Sequence, residues 1–315
     1  MLDIRDLHVG YLTTRGAAKA VDGISFSINP GEVVGLAGES GSGKSTIAHS
    51  ILRILHPPAL ITGGEALFKG RDILEMSESE LEQFRWKDIS IVFQSAMNSL
   101  NPVMKIRDQL LDVMIHHGLS KAEANQRAVD LFDLVGIEAQ RLDAYPHQLS
   151  GGMRQRAVIA IALALNPPLL IMDEPTTALD VVVQKDILEQ INLLREKLGF
   201  SILFITHDLS LLVEISTHIS IMYAGEIVEK APARELFENA KHPYTLGLMN
   251  SFPSISGEKK KLTGIPGSPP DLVNPPTGCR FNPRCPRAMA ICSEVAPQTQ
   301  TISNDHTVAC HLNNE

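Results

Sequence analysis

The chain has 315 residues, 44% hydrophobic and 20% charged, a composition typical of a folded globular protein with one large domain or two smaller ones. Its 36 acidic and 28 basic residues give a net charge of -8, which argues against nucleic acid as the main partner, because phosphate binding needs clustered Lys and Arg. The longest apolar run, Ala157–Leu165, is far below the roughly 20 residues that span a bilayer, and the first residues lack a secretory pattern, so we expect a cytoplasmic protein.

The N-terminal third is predicted to contain strands around a glycine-rich loop. A strand over Ala20–Asn29 is followed by a Pro-Gly turn and a second, more apolar strand over Glu32–Ala37. After the loop, apolar residues recur at helical spacing from Ile47 to Leu55, and Pro57-Pro58 stops this helix. Ser90–Gln94 is a further short strand candidate.

The glycine-rich loop fits the phosphate-binding pattern G-x-x-x-x-G-K-[ST]. Its glycines allow backbone N–H groups to converge on phosphate oxygens, and the helix that follows directs its positive N-terminus to the same place. Lys44 can reach the β- and γ-phosphates, and the Ser45 hydroxyl can bind Mg²⁺. A chance Gly/Ser turn is the alternative, but the flanking strand and helix favour a nucleotide site formed by Gly38, Ser40, Gly41, Ser42, Gly43, Lys44, Ser45 and Thr46.

The middle of the chain, at about residues 95–165, is predicted to be an all-helical insertion. One helix begins near Ile106 and ends at Gly118. The residues Ser120 to Glu123 form a capping box that opens a second helix, which Gly136 closes.

An α/β pattern then resumes and predicts a mostly parallel sheet. Leu169–Met172 and Ser201–Thr206 are buried strand candidates, and Val181–Leu198 is a helix capped by Asp180. Two carboxylates, Asp173 and Glu174, directly follow the first of these strands, where one can hold Mg²⁺ and the other can polarise a water molecule. Apolar strands that end in acidic residues are common, so this pair alone is weak evidence for a catalytic site. The presence of a phosphate loop in the same chain makes that interpretation much stronger.

The run from Leu149 to Arg156, Leu-Ser-Gly-Gly-Met-Arg-Gln-Arg, resembles the LSGGQ signature of the ABC ATPase family. Met153 stands in the glutamine position, a departure that leaves the Ser-Gly-Gly core intact. A helix N-terminus of this kind can bind a second anion, although a glycine turn before an ordinary core helix would look similar. The resemblance implies that Ser150, Gly151, Gly152 and Gln155 contact the ATP of a partner subunit.

The resemblance covers about residues 1–240 and implies a P-loop NTPase (RecA-like) core with an inserted helical signature subdomain. It implies that two subunits pair head to tail, with each ATP between one phosphate loop and the partner's signature. It also implies roles for six further residues. Tyr11 stacks on adenine unless it is a core strand residue, Gln94 and Asp173 join Ser45 at Mg²⁺, and Asp180 forms the D-loop. His207 contacts the γ-phosphate, and Glu174 is the catalytic base.

Residues 241–315 are rich in proline and are expected to form an irregular extension. The stretch from His242 to Thr245 and the stretch from Gly278 to Pro286 resemble the C-terminal extension of the oligopeptide/dipeptide/nickel importer ATPases, in particular the D-type chain. The resemblance implies a second, F-type ATPase subunit, two transmembrane permease subunits, an extracytoplasmic substrate-binding protein, and a peripheral position on the cytoplasmic face of the membrane. Relatives that carry oligosaccharides or nickel share this extension, so the cargo stays open.

The four cysteines all lie in this extension and are more typical of metal ligands than of disulfides in a reducing compartment. Their spacing, C-x5-C-x6-C-x17-C, matches neither a zinc finger nor a standard ferredoxin and does not decide between zinc and iron–sulfur. The family resemblance favours a [4Fe–4S] cluster, and four unliganded buried thiols are the alternative. The candidate ligands are Cys279, Cys285, Cys292 and Cys310.

Two other classes of function compete with a transport ATPase. A soluble ABC ATPase that acts on DNA or the ribosome usually carries two cassettes or a long coiled coil, whereas this sequence has one cassette and no sustained heptads. A nucleotide-binding regulator without catalysis would need to have lost a base or a switch residue, and both Glu174 and His207 are present.

Overall fold

A computed structural model describes residues 1–94, 98–176, 180–251 and 264–313. The chain forms two compact units. The first comprises Met1–Ile28, Val33–Leu74 and Ile205–Glu315, and the second comprises Asn29–Glu32 and Glu75–Phe204. The predicted domain boundary after residue 240 therefore falls inside the first unit.

The described residues contain twelve strands and ten α-helices. The strands are β1 (Leu2–Thr13), β2 (Gly16–Ile28), β3 (Val33–Ala37), β4 (Ala59–Phe68), β5 (Arg71–Asp72), β6 (Ile89–Val92), β7 (Leu169–Asp173), β8 (Ser201–Thr206), β9 (His218–Tyr223), β10 (Glu226–Pro232), β11 (Thr299–Ser303) and β12 (His306–Ala309). The helices are α1 (Lys44–Ile51), α2 (Glu78–Phe84), α3 (Ile106–His116), α4 (Lys121–Leu134), α5 (Gly151–Ala162), α6 (Val181–Leu198), α7 (Leu209–Ile215), α8 (Ala233–Asn239), α9 (Pro243–Asn250) and α10 (Ile291–Glu294).

The first unit contains two groups of paired strands. Four strands pair antiparallel in the order β2-β1-β4-β5. A second set runs in the order β11-β12-β10-β9-β3, in which β3 and β9 are parallel and the other pairs are antiparallel. All five residues of β3 are buried, as expected for a strand covered on both faces, and the glycine-rich loop follows it directly.

The second unit holds the helices between residues 98 and 165, where the described residues form no strand. Strands β6 and β7 pair in parallel, with Ile89 opposite Leu169 and Val92 opposite Met172. Helix α4 begins with the predicted capping box, in which Ser120 accepts from the Glu123 N–H and Glu123 accepts in return.

Several sequence predictions agree with these elements to the residue. Helix α6 spans Val181–Leu198 with Asp180 as its N-cap, and β8 spans Ser201–Thr206. The predicted length of the helix after the phosphate loop is wrong: α1 ends at Ile51, so Leu55 lies beyond the helix rather than on its face. Among the described residues, no helix combines the length and the apolar character that are needed to cross a bilayer.

The expectation of an irregular C-terminal extension is wrong for residues 299–309. Strands β11 and β12 form an antiparallel hairpin, and β12 pairs with β10. The residues Thr299 to Ser303 are rich in Thr, which favours strands, and Asn304 and Asp305 supply the turn. Asp305 has a φ of 64°, which is the left-handed conformation that Asp tolerates better than most residues.

Candidate functional site

The glycine-rich loop connects β3 to α1 in the first unit, as the sequence predicts. At Gly38, where φ is 154°, a Cβ atom would lie 2.1 Å from the carbonyl oxygen of Met222. At Gly43, where φ is 106°, a Cβ atom would lie 2.1 Å from the carbonyl oxygen of Ala20. Any side chain at either position would therefore collide with backbone, which explains the two outer glycines of the motif.

The ammonium group of Lys44 lies inside the loop. Its Nζ donates to the carbonyl oxygens of Gly38 at 2.8 Å and Glu39 at 2.9 Å, and contacts Ser42 Oγ at 3.4 Å. The side chain is buried, so the loop concentrates one positive charge at the N-terminus of α1. A phosphate group bound at this point would interact with both the lysine and the helix N-terminus.

Tyr11, the predicted adenine-stacking residue, lies next to the same helix. Its hydroxyl is 3.2 Å from Thr46 Oγ1, and its side chain is half-buried. The contact places the Tyr11 hydroxyl beside the first turn of α1, next to the loop.

The C-terminal extension also reaches the loop, which sequence reasoning did not anticipate. Arg284 binds the Glu39 carboxylate through both terminal nitrogens, at 2.7 and 2.9 Å. The Tyr244 hydroxyl accepts the backbone N–H of Glu39 at 2.8 Å. The only sequence signal is the presence of two arginines, Arg280 and Arg284, beside the first two cysteines.

The two carboxylates after β7 lie in the second unit and differ in environment. Asp173 is buried, and Glu174 is half-buried with its Oε2 accepting from the Gln94 Nε2 at 3.0 Å. The structure thus brings together two residues that the sequence assigns to one reaction. Glu174 has a φ of 47°, a conformation that is unfavourable for a residue with a Cβ and that is often found at functional positions.

The signature segment forms the N-terminus of α5 in the second unit. Ser150 is the N-cap, and its Oγ accepts from the Met153 N–H at 3.3 Å. Gly151 and Gly152 begin the helix. The side chain of Gln155 is buried and donates to the Pro175 carbonyl oxygen at 2.5 Å, which is at odds with the predicted contact to a nucleotide. Its amide instead holds the segment that follows Glu174.

Asp180 and His207 are both exposed. The Asp180 carboxylate accepts from the Val183 N–H at 3.1 Å and caps α6. Its neighbours in the predicted D-loop, Ala178 and Leu179, lie outside the described residues. His207 follows β8 directly and belongs to the first unit, as does the phosphate loop.

The four cysteines surround one small cavity in the extension, together with Phe281 and His311. Burial raises the pKa of the Cys279 thiol to about 11, although the backbone N–H groups of Phe281 and Asn282 donate to its sulfur and oppose this rise. Burial also raises the pKa of Cys285 and of Cys310, and each of these sulfurs accepts a backbone N–H. Within the described ranges, no three His, Cys, Asp or Glu side chains are placed to hold a single metal ion.

Comparisons with known proteins agree with these motifs. The family profile described as "ABC transporter" matches residues 21–177. A second profile, described as "Oligopeptide/dipeptide transporter, C-terminal region", matches residues 228–292, which include the first three cysteines.

Full-length relatives show the same likeness. The oligopeptide transport ATP-binding protein OppD of Bacillus subtilis (strain 168) is 45% identical over 99% of this chain and 88% of its own length. The dipeptide transport ATP-binding protein DppD of Caldanaerobacter subterraneus subsp. tengcongensis is 42% identical over 100% of this chain and 98% of its own length. The OppD protein of Escherichia coli (strain K12) is 46% identical over 94% of this chain and 89% of its own length.

Solved structures support the fold. The dimeric structure of MJ0796, a bacterial ABC transporter cassette, has a TM-score of 0.66 and 29% identity and covers 74% of this chain and 99% of its own. The cbiO1 protein of Clostridium perfringens, part of the ABC transporter complex cbiONQ, has a TM-score of 0.66 and 28% identity. The match covers 76% of this chain and 90% of the cbiO1 chain.

Proposed function

Because this chain belongs to the ATP-binding proteins of ABC transporters, we propose that its ATP hydrolysis powers the import of dipeptides or oligopeptides. The chain is an ABC ATPase with the cassette fold. The observation that carries the peptide assignment is the extension, because its family profile is described by oligopeptide and dipeptide transport and the full-length relatives share that description.

In the first unit, the proposed roles belong to phosphate and base binding. The loop from Gly38 to Thr46 holds the phosphates with its backbone N–H groups and with Lys44, whose ammonium already lies inside the loop. Ser45 is a candidate ligand of Mg²⁺ and Tyr11 a stacking partner of adenine. His207, exposed at the end of β8, is proposed to contact the γ-phosphate.

In the second unit, the proposed roles belong to hydrolysis. Asp173 and Gln94 are candidate Mg²⁺ ligands, and Glu174 is the candidate base that orients the attacking water. The hydrogen bond from Gln94 to Glu174 supports this assignment, because it fixes the direction of the carboxylate before any substrate arrives. The metal would neutralise charge on the phosphates as they react.

The signature segment is proposed to serve a second cassette. Ser150, Gly151 and Gly152 offer a hydroxyl and backbone N–H groups at a helix N-terminus, which suits the γ-phosphate of a partner's ATP. The proposed partner is a related F-type ATPase chain, and the exposed Asp180 would lie on the same interface. Two membrane-spanning permease subunits and an extracytoplasmic binding protein complete the proposed complex on the cytoplasmic face of the membrane.

A test of the transport assignment is to purify the chain with its bound partners from its own cells, and to measure uptake of labelled peptides in cells that carry Lys44→Ala. The proposal predicts co-purifying permease subunits and loss of peptide uptake with unchanged protein levels. Normal peptide uptake with loss of oligosaccharide or nickel uptake would assign another cargo, and the absence of membrane partners would favour a soluble ABC ATPase.

Tyr11→Ala is expected to weaken MgATP binding by about 1–3 kcal/mol, because an aromatic ring that stacks on a base contributes roughly this amount. Tyr11→Phe is the matched control, since it keeps the ring and removes only the hydroxyl contact with Thr46. Equilibrium dialysis should show a near-normal affinity for the phenylalanine variant. Equal losses in both variants would mean that the hydroxyl contact, and not stacking, is what matters.

The four cysteines are proposed to hold a [4Fe–4S] cluster. All four line one cavity, and three of the sulfurs accept backbone N–H groups, which stabilise thiolate ligands. The resemblance of the extension to those of the importer ATPases favours the cluster, and a closed zinc site with all four sulfurs is the alternative. Bonds from the four thiolates to the cluster would cross-link the extension.

Anaerobic purification is expected to give about four irons and four sulfides per chain, because four thiolates are the usual ligand set of this cluster. Cys285→Ser should lose most of this iron and make the extension more sensitive to protease, whereas Ser293→Ala, in the same segment, should do neither. About one zinc per chain would select the closed zinc site instead, and a metal-free chain with a protease-resistant extension would refute both.

A further inference from the structure

The extension places a buried arginine against the phosphate loop. The side chain of Arg284 is 5% exposed and that of Glu39 is 28% exposed, so their two-pronged contact is shielded from water on the arginine side. Such paired hydrogen bonds between a guanidinium and a carboxylate are among the stronger polar contacts in proteins. A guanidinium is protonated at any physiological pH, so this contact is an ion pair.

Arg284 is itself held from several directions. Its Nε donates to the Pro266 carbonyl oxygen at 2.8 Å, and its guanidinium lies 5.7 Å from the centre of the Tyr223 ring. The Tyr223 ring packs against those of Tyr244 at 4.6 Å and Phe281 at 5.2 Å. The position of the guanidinium is therefore fixed by the surrounding structure and does not depend on Glu39 alone.

Glu39 is held at three points. Arg284 binds its carboxylate and the Tyr244 hydroxyl accepts its backbone N–H, while its carbonyl oxygen accepts from Lys44. Glu39 follows the first glycine of the loop. Its backbone conformation therefore determines how the loop begins and how its N–H groups are directed toward phosphates. Its negative charge lies in a loop whose ligand is also negative, which is unfavourable unless a cation compensates it.

We propose that Arg284 is a positioning and charge-balancing residue for nucleotide binding: it neutralises Glu39 and fixes the start of the phosphate loop. The proposal rests on the assignment of the ATP phosphates to this loop. It gives the extension a part in nucleotide affinity, in addition to any docking role. The competing explanation is that Arg284 only attaches the extension to the cassette.

The two explanations differ in the effect of removing the charge of Glu39. Arg284→Gln leaves the carboxylate uncompensated beside the phosphates, and the full chain is expected to bind MgATP roughly tenfold more weakly. Adding Glu39→Gln removes that repulsion without restoring the salt bridge, so the double variant should bind within about threefold of the wild type. If Arg284 only attaches the extension, the second substitution cannot rescue the first.

Arg280→Gln is the matched control, because Arg280 is a buried arginine of the same cysteine-rich segment whose carboxylate partners are Asp22 and Glu226. It should lower thermal stability and leave MgATP affinity within about twofold. The loss in Arg284→Gln should also shrink at higher salt, since screening weakens repulsion between charges.

Equilibrium dialysis of labelled MgATP against the five purified chains tests the inference. Weak binding by Arg284→Gln and recovery in the double variant would support it. A double variant as weak as Arg284→Gln, or an Arg284→Gln chain with wild-type affinity, would overturn it. If the Lys44→Ala chain bound MgATP as tightly as the wild type, the assignment of the ATP phosphates to this loop would be wrong. That result differs from the results that would overturn only the role of Arg284.

Discussion

Replacing Glu174 with glutamine is expected to slow ATP hydrolysis by about 10²–10⁴-fold while MgATP binding persists, because a general base typically contributes this much. Glutamine has the same shape, and its amide oxygen can still accept the hydrogen bond that Gln94 donates to Glu174 at 3.0 Å. The arrangement of the site should therefore survive, and the loss should come from the missing negative charge. Phosphate release by the assembled complex measures the effect.

Glu189→Gln is the control for this substitution, since Glu189 is an exposed carboxylate of α6 with only a helical ion pair to Lys185. Its hydrolysis rate should stay at the wild-type value. Turnover in Glu174→Gln within a few fold of the wild type would show that another group activates the water.

Ser150→Arg is expected to abolish hydrolysis by the assembled complex and to leave MgATP binding to the isolated chain nearly intact. The substitution places a long cation where a partner's γ-phosphate is proposed to meet the N-terminus of α5. Ser150 belongs to the second unit, whereas the phosphate loop of the same chain belongs to the first. Nucleotide affinity and hydrolysis should therefore be measured separately.

The loss of a helix cap is a confounding effect, because Ser150 also accepts from the Met153 N–H. Removal of a serine N-cap destabilises a helix by about 0.5–2 kcal/mol. Ser120→Arg removes the equivalent cap of α4, outside the signature, and should reduce stability by a similar amount without loss of hydrolysis. If MgATP affinity fell as much as hydrolysis in Ser150→Arg alone, the proposed head-to-tail arrangement would be wrong.

Sequence reasoning works best where the determinants are close together in the chain. The phosphate loop has positive φ angles at Gly38 and Gly43, so its glycine pattern indicates its backbone conformation, although the nearby carbonyl groups of Met222 and Ala20 are not local in sequence. The N-caps Ser120 and Asp180 set helix starts for the same reason. The apolar strand that ends in acidic residues also identifies Glu174 as a candidate site residue. It does not predict the positive φ angle that Glu174 adopts.

Two of the features that sequence reasoning missed depend on contacts between distant residues. No local sequence pattern indicates that Arg284 binds the Glu39 carboxylate, because 245 positions separate the two residues. The side chain of Gln155 reads as part of a surface motif, yet tertiary packing buries it against Pro175. The hairpin of β11 and β12 was obscured by the prolines that precede it, although its own residues favour strands.

Peptide import by this chain can be measured by reconstituting the complex that contains it into lipid vesicles, with the chain facing MgATP, and recording labelled oligopeptide uptake and phosphate release together. Peptide uptake should require ATP, and both signals should fall together in Glu174→Gln. Peptide uptake that continues at the wild-type rate in this variant, or phosphate release that is never accompanied by peptide uptake, would contradict it.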